Sequence, residues 1–345
     1  MNKSMIVRTW LGAAAALLTI PALTIAHHGI GAQFDLSESI ELHGELERVI
    51  WRNPHVRLTV RVTNDEGGEE LWEVEAQSVS MLRQRDITEV LLEEGDEITL
   101  AGNPAHGGMT EIYVTNALLP DGRELLFSNS AEPRWSDEAM GRTGARFVAD
   151  GDSNTPELGL FRTWSSAPGQ GLFRDFDATH ENSPLTDEAR ATAVAYDRLT
   201  DNLATGECAS AGMPAIVGNP YPLDFIDQGD TILMRLEEYD AVRTIHLDEN
   251  AADIGSPLGH SIGRWEDGTL VVTTTNISSR KFRLGIALSD DLEIVERYTP
   301  SDDGSRLYYH TIITDPATFL EPIEFEAYWI YIPGVTVEPY ECIEG

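Results

Sequence analysis

Two series of short β-rich runs, separated by an irregular stretch, constrain this chain more than any other feature of its sequence. The first series spans residues 38–126. It holds an alternating run within 43–62 (Leu58-x-Val60-x-Val62), Leu71-Trp72-Glu73-Val74-Glu75, Glu97-Ile98-Thr99-Leu100-Ala101, Glu111-Ile112-Tyr113-Val114-Thr115 and Arg123-Glu124-Leu125-Leu126. Alternation with period two marks strands that bury one face. Gly95-Asp96, Gly107-Gly108 and Asp121-Gly122 supply turns between the runs. A helical pattern opens at Ser78-Val79-Ser80-Met81-Leu82 and is expected to end near Leu92, with Ser78 or Ser80 as its cap. Short strands with one helix between the third and fourth follow the order of a small five-stranded OB-like barrel.

The second series lies within residues 213–345. Thr231–Leu236, Ala241–Leu247, Arg264-Trp265, Thr269–Thr275, Asp291–Tyr298, Arg306–Thr314 and Glu324–Tyr331 alternate or are β-rich, and Glu266-Asp267-Gly268 and Asp302-Asp303-Gly304 are hairpin signals. With no helix between them, about eight such strands predict an antiparallel β-barrel, lipocalin-like, or a strongly curved sheet. Barrels of that size are wide enough to hold one small ligand. Residues 128–212 read as an irregular and helical connector. Its scattered aromatics argue for order, and Thr186 is placed to cap a helix reaching about Leu203. The chain is therefore expected to be mainly β, with a signal peptide over 1–26, an OB-like domain over 27–127, the connector, and a barrel domain over 213–345.

The signal peptide is read from Lys3 and Arg8, the apolar stretch from Trp10 to about Ile20, and the small-x-small site Thr24-Ile25-Ala26. No later stretch is apolar enough to span a bilayer, so a periplasmic or secreted protein is expected. In an oxidising compartment Cys208 and Cys342, the two cysteines of the chain, are expected to pair. Charge narrows the partners. Asp and Glu number 58 against 24 Lys and Arg, a formal net charge of −34. Cleavage removes Lys3 and Arg8 and no acidic residue, which brings it to −36. A surface this acidic repels phosphate backbones, so nucleic-acid binding is not expected.

Several runs resemble known sequences. Ala26-His27-His28, Phe34-Asp35, Gly44-Glu45-Leu46 and Trp51-Arg52-Asn53-Pro54-His55 resemble an uncharacterised family of exported bacterial proteins that open on a double His and carry a W-x-N-P-H run. Gly212-Met213-Pro214, Gly218-Asn219-Pro220-Tyr221-Pro222, Glu238-Tyr239-Asp240-x-Val242-Arg243 and Gly259-His260-Ser261-Ile262-Gly263-Arg264-Trp265 resemble a second uncharacterised exported module. That module usually carries Pro-His-Ser before its V-x-E-R-Y/F strand. Here Ile286-Ala287-Leu288-Ser289 precedes Val295-Glu296-Arg297-Tyr298. The resemblance implies export and transfers no chemistry.

Candidate residues fall into two groups. Cleavage after Ala26 makes His27 the new N-terminus, where its amine and imidazole form a chelate suited to copper or zinc. His28, with His55 or His106, would complete the site if the arm folds back. In the second domain His260, Arg243 and Tyr239 are the candidate catalytic residues, and Tyr221, Arg264 and Glu296 the candidate ligand-binding ones. An imidazole is the side chain type most suited to acid–base work at neutral pH, which marks out His260 between Gly259 and Ser261. An ion pair of Arg264 with Glu296 and a satisfied turn histidine are the structural alternatives. No nucleophile elbow, phosphate loop, H-E-x-x-H zinc helix or C-x-x-C motif is read in the chain. Two functions remain. One is an exported protein that binds a small, largely apolar molecule in the C-terminal barrel. The other is a cofactor-independent lyase, isomerase or hydrolase that uses the same barrel.

Overall fold

The computed structural model describes residues 30–342, apart from 65, 129–130, 142–155, 168–170, 174–175, 179, 197–209, 280–281 and 283–284. The signal peptide, His27, His28 and Cys208 lie outside the described residues. After a one-turn helix, α1 (Ile30–Gln33), the chain forms β1 (Ile40–Ile50), β2 (Arg57–Thr63), β3 (Glu69–Glu75), helix α2 (Val79–Arg83), β4 (Glu97–Pro104) and β5 (Glu111–Leu118). Strands β6 (Glu124–Leu126) and β7 (Ala139–Met140) extend this sheet. Pairing runs β3-β2-β1-β4-β5, and a parallel seam between β3 and β5 closes a five-stranded barrel. This is the OB order expected from the sequence.

Closure requires β1 to bend enough to pair with β2 through Gly44–Ile50 and with β4 through Ile40–Glu45. A bulge between Leu46 and Arg48 supplies part of the bend. Gly44 supplies close approach, since a Cβ there would sit 2.1 Å from the Arg61 carbonyl oxygen. Leu46, Leu58, Val60, Val74, Ile98, Leu100, Ile112 and Val114 fill the interior.

Helix α2 is shorter than its sequence pattern suggests. Ser78 caps it, its hydroxyl accepting from the Met81 amide at 3.2 Å. The helix ends at Arg83 because Asp86 turns left-handed (φ 64°), and the Ile87 amide returns to the Leu82 carbonyl. The buried Arg85 guanidinium donates to the Ser128 carbonyl at 2.8 Å and to the Gly141 carbonyl. Tertiary contacts thus override a longer helical period.

The second barrel has nine strands. They are β8 (Thr163–Ser166), β9 (Leu223–Asp227), β10 (Thr231–Leu236), β11 (Ala241–His246), β12 (His260–Glu266), β13 (Thr269–Thr275), β14 (Glu293–Pro300), β15 (Arg306–Thr314) and β16 (Ile323–Ile330). Strand β9 is not among the runs read from the sequence, and two further features depart from that reading. Strand β8 comes from the stretch read as connector, and it bridges β16 and β9 through two residue pairs on each side. The β11–β12 seam is parallel, because the loop over 247–259 returns the chain to the end of the barrel where β11 began. The other seams are antiparallel, and β12 and β13 meet at a tight turn in which Asp267 and Gly268 both have positive φ.

Helix α3 (Asp187–Ala195) is capped by Thr186, whose hydroxyl accepts from the Ala189 amide. Phe173 and Phe176 of the connector pack against Phe282, Phe319 and Phe325 of the barrel domain. Phe173, Phe176, Phe282, Phe319 and Phe325 interlock edge to face or tilted, with ring centroids from 4.9 to 6.5 Å apart. No helix among the described residues is long and apolar enough to cross a membrane.

Candidate functional site

Inside the second barrel, alternation aims Arg243 of β11 and Glu296 of β14 inward, and each side chain is fully buried. The guanidinium Nη1 donates to Glu296 Oε1 at 3.1 Å, and Nη2 also donates to the carboxylate. Nε donates to Ser261 Oγ at 2.9 Å, and Nη2 reaches Thr274. Two phenols, Tyr298 at 2.7 Å and Tyr309 at 2.9 Å, donate to Glu296 Oε1. Burial is the largest single influence and pulls the Arg243 value down, but Glu296, Tyr298 and Tyr309 together outweigh it and hold the value above its ordinary one. Burial and the neighbouring Glu296 push both phenols well up. Each nitrogen of the guanidinium and both phenols find partners, and Phe225, Leu307 and Trp329 pack around the network. At this level the barrel is filled by paired side chains.

Gly259-His260-Ser261-Ile262-Gly263 matches the G-x-S-x-G spacing, counter to the expectation that the chain holds none. The structure removes its usual meaning. A nucleophile elbow is a strand-to-helix turn with an exposed serine. Here residues 260–263 are strand, and Ser261 is fully buried against Arg243 and Thr274.

The other candidates are dispersed. Glu296 pairs with Arg243, while Arg264 is exposed and pairs with Glu266 at 2.8 Å. His260 alternates with inward Ser261 and so lies on the outer side of the barrel wall, where its ring is 5.5 Å from that of His246. His55 lies 3.1 Å from Glu75, and His106 is exposed beside the Gly31 carbonyl. Among the described residues no three His, Cys, Asp or Glu side chains are grouped so as to hold a metal.

Tyr221 and Tyr239 meet at the junction of the two barrels, around Tyr340 of the C-terminal tail. Their rings lie 5.5 and 4.9 Å from that of Tyr340. The turn Glu238–Asp240 follows β10 and holds Tyr239 and Asp240 in left-handed conformations (φ 58° and 51°), a rare state for such residues. Asp240 accepts from the Tyr340 amide at 3.0 Å, and Glu237 accepts from the Glu338 amide at 3.2 Å. Across the junction Asn53 donates to the Tyr340 carbonyl at 2.6 Å and to Ser80 at 3.1 Å. Burial raises Glu237 against hydrogen bonds from Ser80 and the Glu338 amide. Burial also raises Glu238 to about 7, although Asn219 donates to it at 2.6 Å. The Tyr221 phenol is pushed up to about 12, chiefly by burial. The sequence pointed to this turn through E-Y-D-x-V-R, but nothing in it pointed to Tyr340.

One further concavity lies on the outer face of β14, β15 and β16. The register aligns Thr299, Tyr308 and Tyr328 in one row and Arg297, His310 and Glu326 in the next. Together they line an open groove of about 630 Å³. Tyr308 is 47% exposed, and its ring contacts that of Tyr328 at 6.5 Å. The Arg306 guanidinium lies 4.7 Å over the Tyr328 ring.

Residues 15–113 match the model of a family of unknown function (DUF6152), to which this part of the chain is similar. That stretch covers β1 to β4 and reaches into β5. No curated protein and no solved structure matches the chain.

Proposed function

We propose that this chain is an exported binding protein, cleaved after Ala26, which holds a small, largely apolar molecule on its C-terminal barrel. The seat best suited to that role is the outer groove of β14–β16, since the interior around Arg243 is already occupied. The observation that carries the reading is the pair of tyrosine rings, Tyr308 and Tyr328, in a groove of about 630 Å³. Small-molecule sites are of that volume, mostly apolar, with a few polar groups to orient the ligand. Arg297, His310 and Glu326 would supply those groups. Resemblance to two exported modules and the small-x-small site before His27 support the location. A pairing of Cys208 with Cys342 and a copper or zinc site at His27 and His28 belong to the same reading of the exported chain.

Native mass spectrometry of protein purified from the periplasm tests this. The expected result is a chain starting at His27 that carries a retained small molecule, which is lost in Tyr308→Ala/Tyr328→Ala. A chain starting at Met1, or a ligand retained by the double variant, would count against the reading.

A second reading is a cofactor-independent lyase, isomerase or hydrolase. The raised value of Glu238 at the barrel junction favours it, because a carboxyl poised near 7 can exchange a proton at neutral pH. Turnover by the purified protein that disappears in Glu238→Gln would select this reading over the first.

A further inference from the structure

A small cavity of about 120 Å³ lies where the first barrel meets the C-terminal tail. Arg52 and Arg83 both line it. In a chain with 58 acidic and 24 basic residues, a guanidinium has carboxylates to choose from. Arg61, Arg123, Arg235, Arg243, Arg264 and Arg297 each take one. Arg85, Arg134, Arg162 and Arg190 take carbonyl or hydroxyl oxygens instead, whereas among the described residues Arg52 and Arg83 have neither a carboxylate nor a hydrogen-bond acceptor. The Arg83 Nη1 atom is buried and has no hydrogen-bond partner. A buried charged donor left unpaired costs several times what an ordinary hydrogen bond contributes, so its persistence beside an unfilled space points to a missing acceptor.

The rest of the lining restricts that acceptor. Asn53 offers polarity at the inner wall, but both of its amide atoms already bond to Ser80 and Tyr340. Trp51, Val79 and Tyr340 make the remaining inner wall apolar. Glu89 and Glu341 are exposed at the rim. Behind the lining, the buried Glu237 carboxylate feels the Arg83 charge but takes its hydrogen bonds from Ser80 and the Glu338 amide. A doubly charged oxyanion would meet these three carboxylates at high electrostatic cost. A singly charged one with a short carbon chain matches both walls, because a guanidinium presents a planar fork to a carboxylate.

We propose that this cavity is a binding site for a short-chain monocarboxylate, whose carboxylate seats on Arg52 and Arg83 and whose carbon chain lies against Trp51 and Val79. The site is independent of the groove on β14–β16 and stands or falls apart from it. Among the described residues neither guanidinium makes a hydrogen bond or ion pair, and Arg83 acts on Glu237 only electrostatically.

Calorimetric titration of the full chain with sodium propionate, against sodium chloride at matched ionic strength, tests the assignment. Saturable binding is expected, weakened at least tenfold in Arg83→Gln and again in Arg52→Gln, with circular dichroism unchanged in both. Sodium phosphate is expected to bind at least tenfold more weakly than propionate. The proposal is overturned if propionate shows no saturable binding. It is equally overturned if a folded Arg83→Gln and a folded Arg52→Gln bind as the parent does, or if phosphate binds as tightly as propionate. Should either variant lose its circular dichroism signal, the single variant that stays folded decides the outcome.

Discussion

Arg243 and Glu296, 53 residues apart in sequence, form a bidentate pair in the interior of the second barrel, and neither side chain is exposed to solvent. Two tyrosines and two hydroxyl side chains complete the network, so each charged group is satisfied only while the others remain. Replacing one member leaves a buried charge without its partner. Glu296→Leu or Arg243→Met alone should therefore cost about 3–5 kcal/mol, whereas the double replacement should recover most of that loss. Urea unfolding of the two single variants and the double variant measures the difference. Equal losses in all three would mean that packing, rather than charge pairing, dominates at this site.

Glu238 makes the barrel junction sensitive to pH. Its folded value is raised by burial from 4.5 to about 7, with Asn219 pulling the other way. Glu237, Tyr221 and Tyr340 are the titratable groups around it. A folded carboxyl that holds its proton more tightly than the unfolded chain stabilises the protein at low pH. That contribution is present below 4.5 and is lost as the pH rises through about 7. The loss is on the order of 3 kcal/mol at most. Thermal melts of Glu238→Gln between pH 5 and 8 should show a flatter decline than the parent, since the amide cannot ionise and still accepts from Asn219.

Asn53 links the first barrel to the tail. Its side chain donates to the Tyr340 carbonyl and to Ser80, and accepts from the Ser80 amide. All three partners belong to buried residues, so truncation strands them. Asn53→Ala should destabilise the chain by about 2 kcal/mol or more. Hydrogen exchange should then show earlier opening of residues 335–341 than of the second barrel. Uniform acceleration across the whole chain would argue that the tail is not a separate unit.

The Cys208–Cys342 pairing is open to a thiol assay. The described residues contain no free cysteine, and Cys342 lies two residues beyond Tyr340 at the end of the tail. The exported protein should show no alkylatable thiol when unfolded without reductant. Cys342→Ala should cost about 4 kcal/mol, the value expected for a loop of more than one hundred residues. Two reactive thiols in the unreduced chain would refute the pairing.

Much of the architecture was legible in the sequence because it rests on local chemistry. Period-two alternation set the inward faces, including those of Leu58, Val60, Ile294 and Ile313. Asp267-Gly268 tightens one hairpin because both positions need positive φ, and Ser78 and Thr186 cap their helices because a hydroxyl can meet a free amide. The OB order followed from counting strands around one helix. Other features depend on which distant segments meet, and no local pattern encodes that. Asp86 ends α2 early because Arg85 is drawn to Ser128 and Gly141. Strand β8 joins the barrel only through its pairing with β16 and β9, both distant from it in sequence. Arg243 was recognised as chemically notable, but whether it faced a ligand or a carboxylate depended on Glu296 arriving opposite it. Tyr340 and Glu238 become neighbours only when the tail crosses between two finished barrels. The burial that raises the Glu238 carboxyl is a property of that assembled junction rather than of any segment within it.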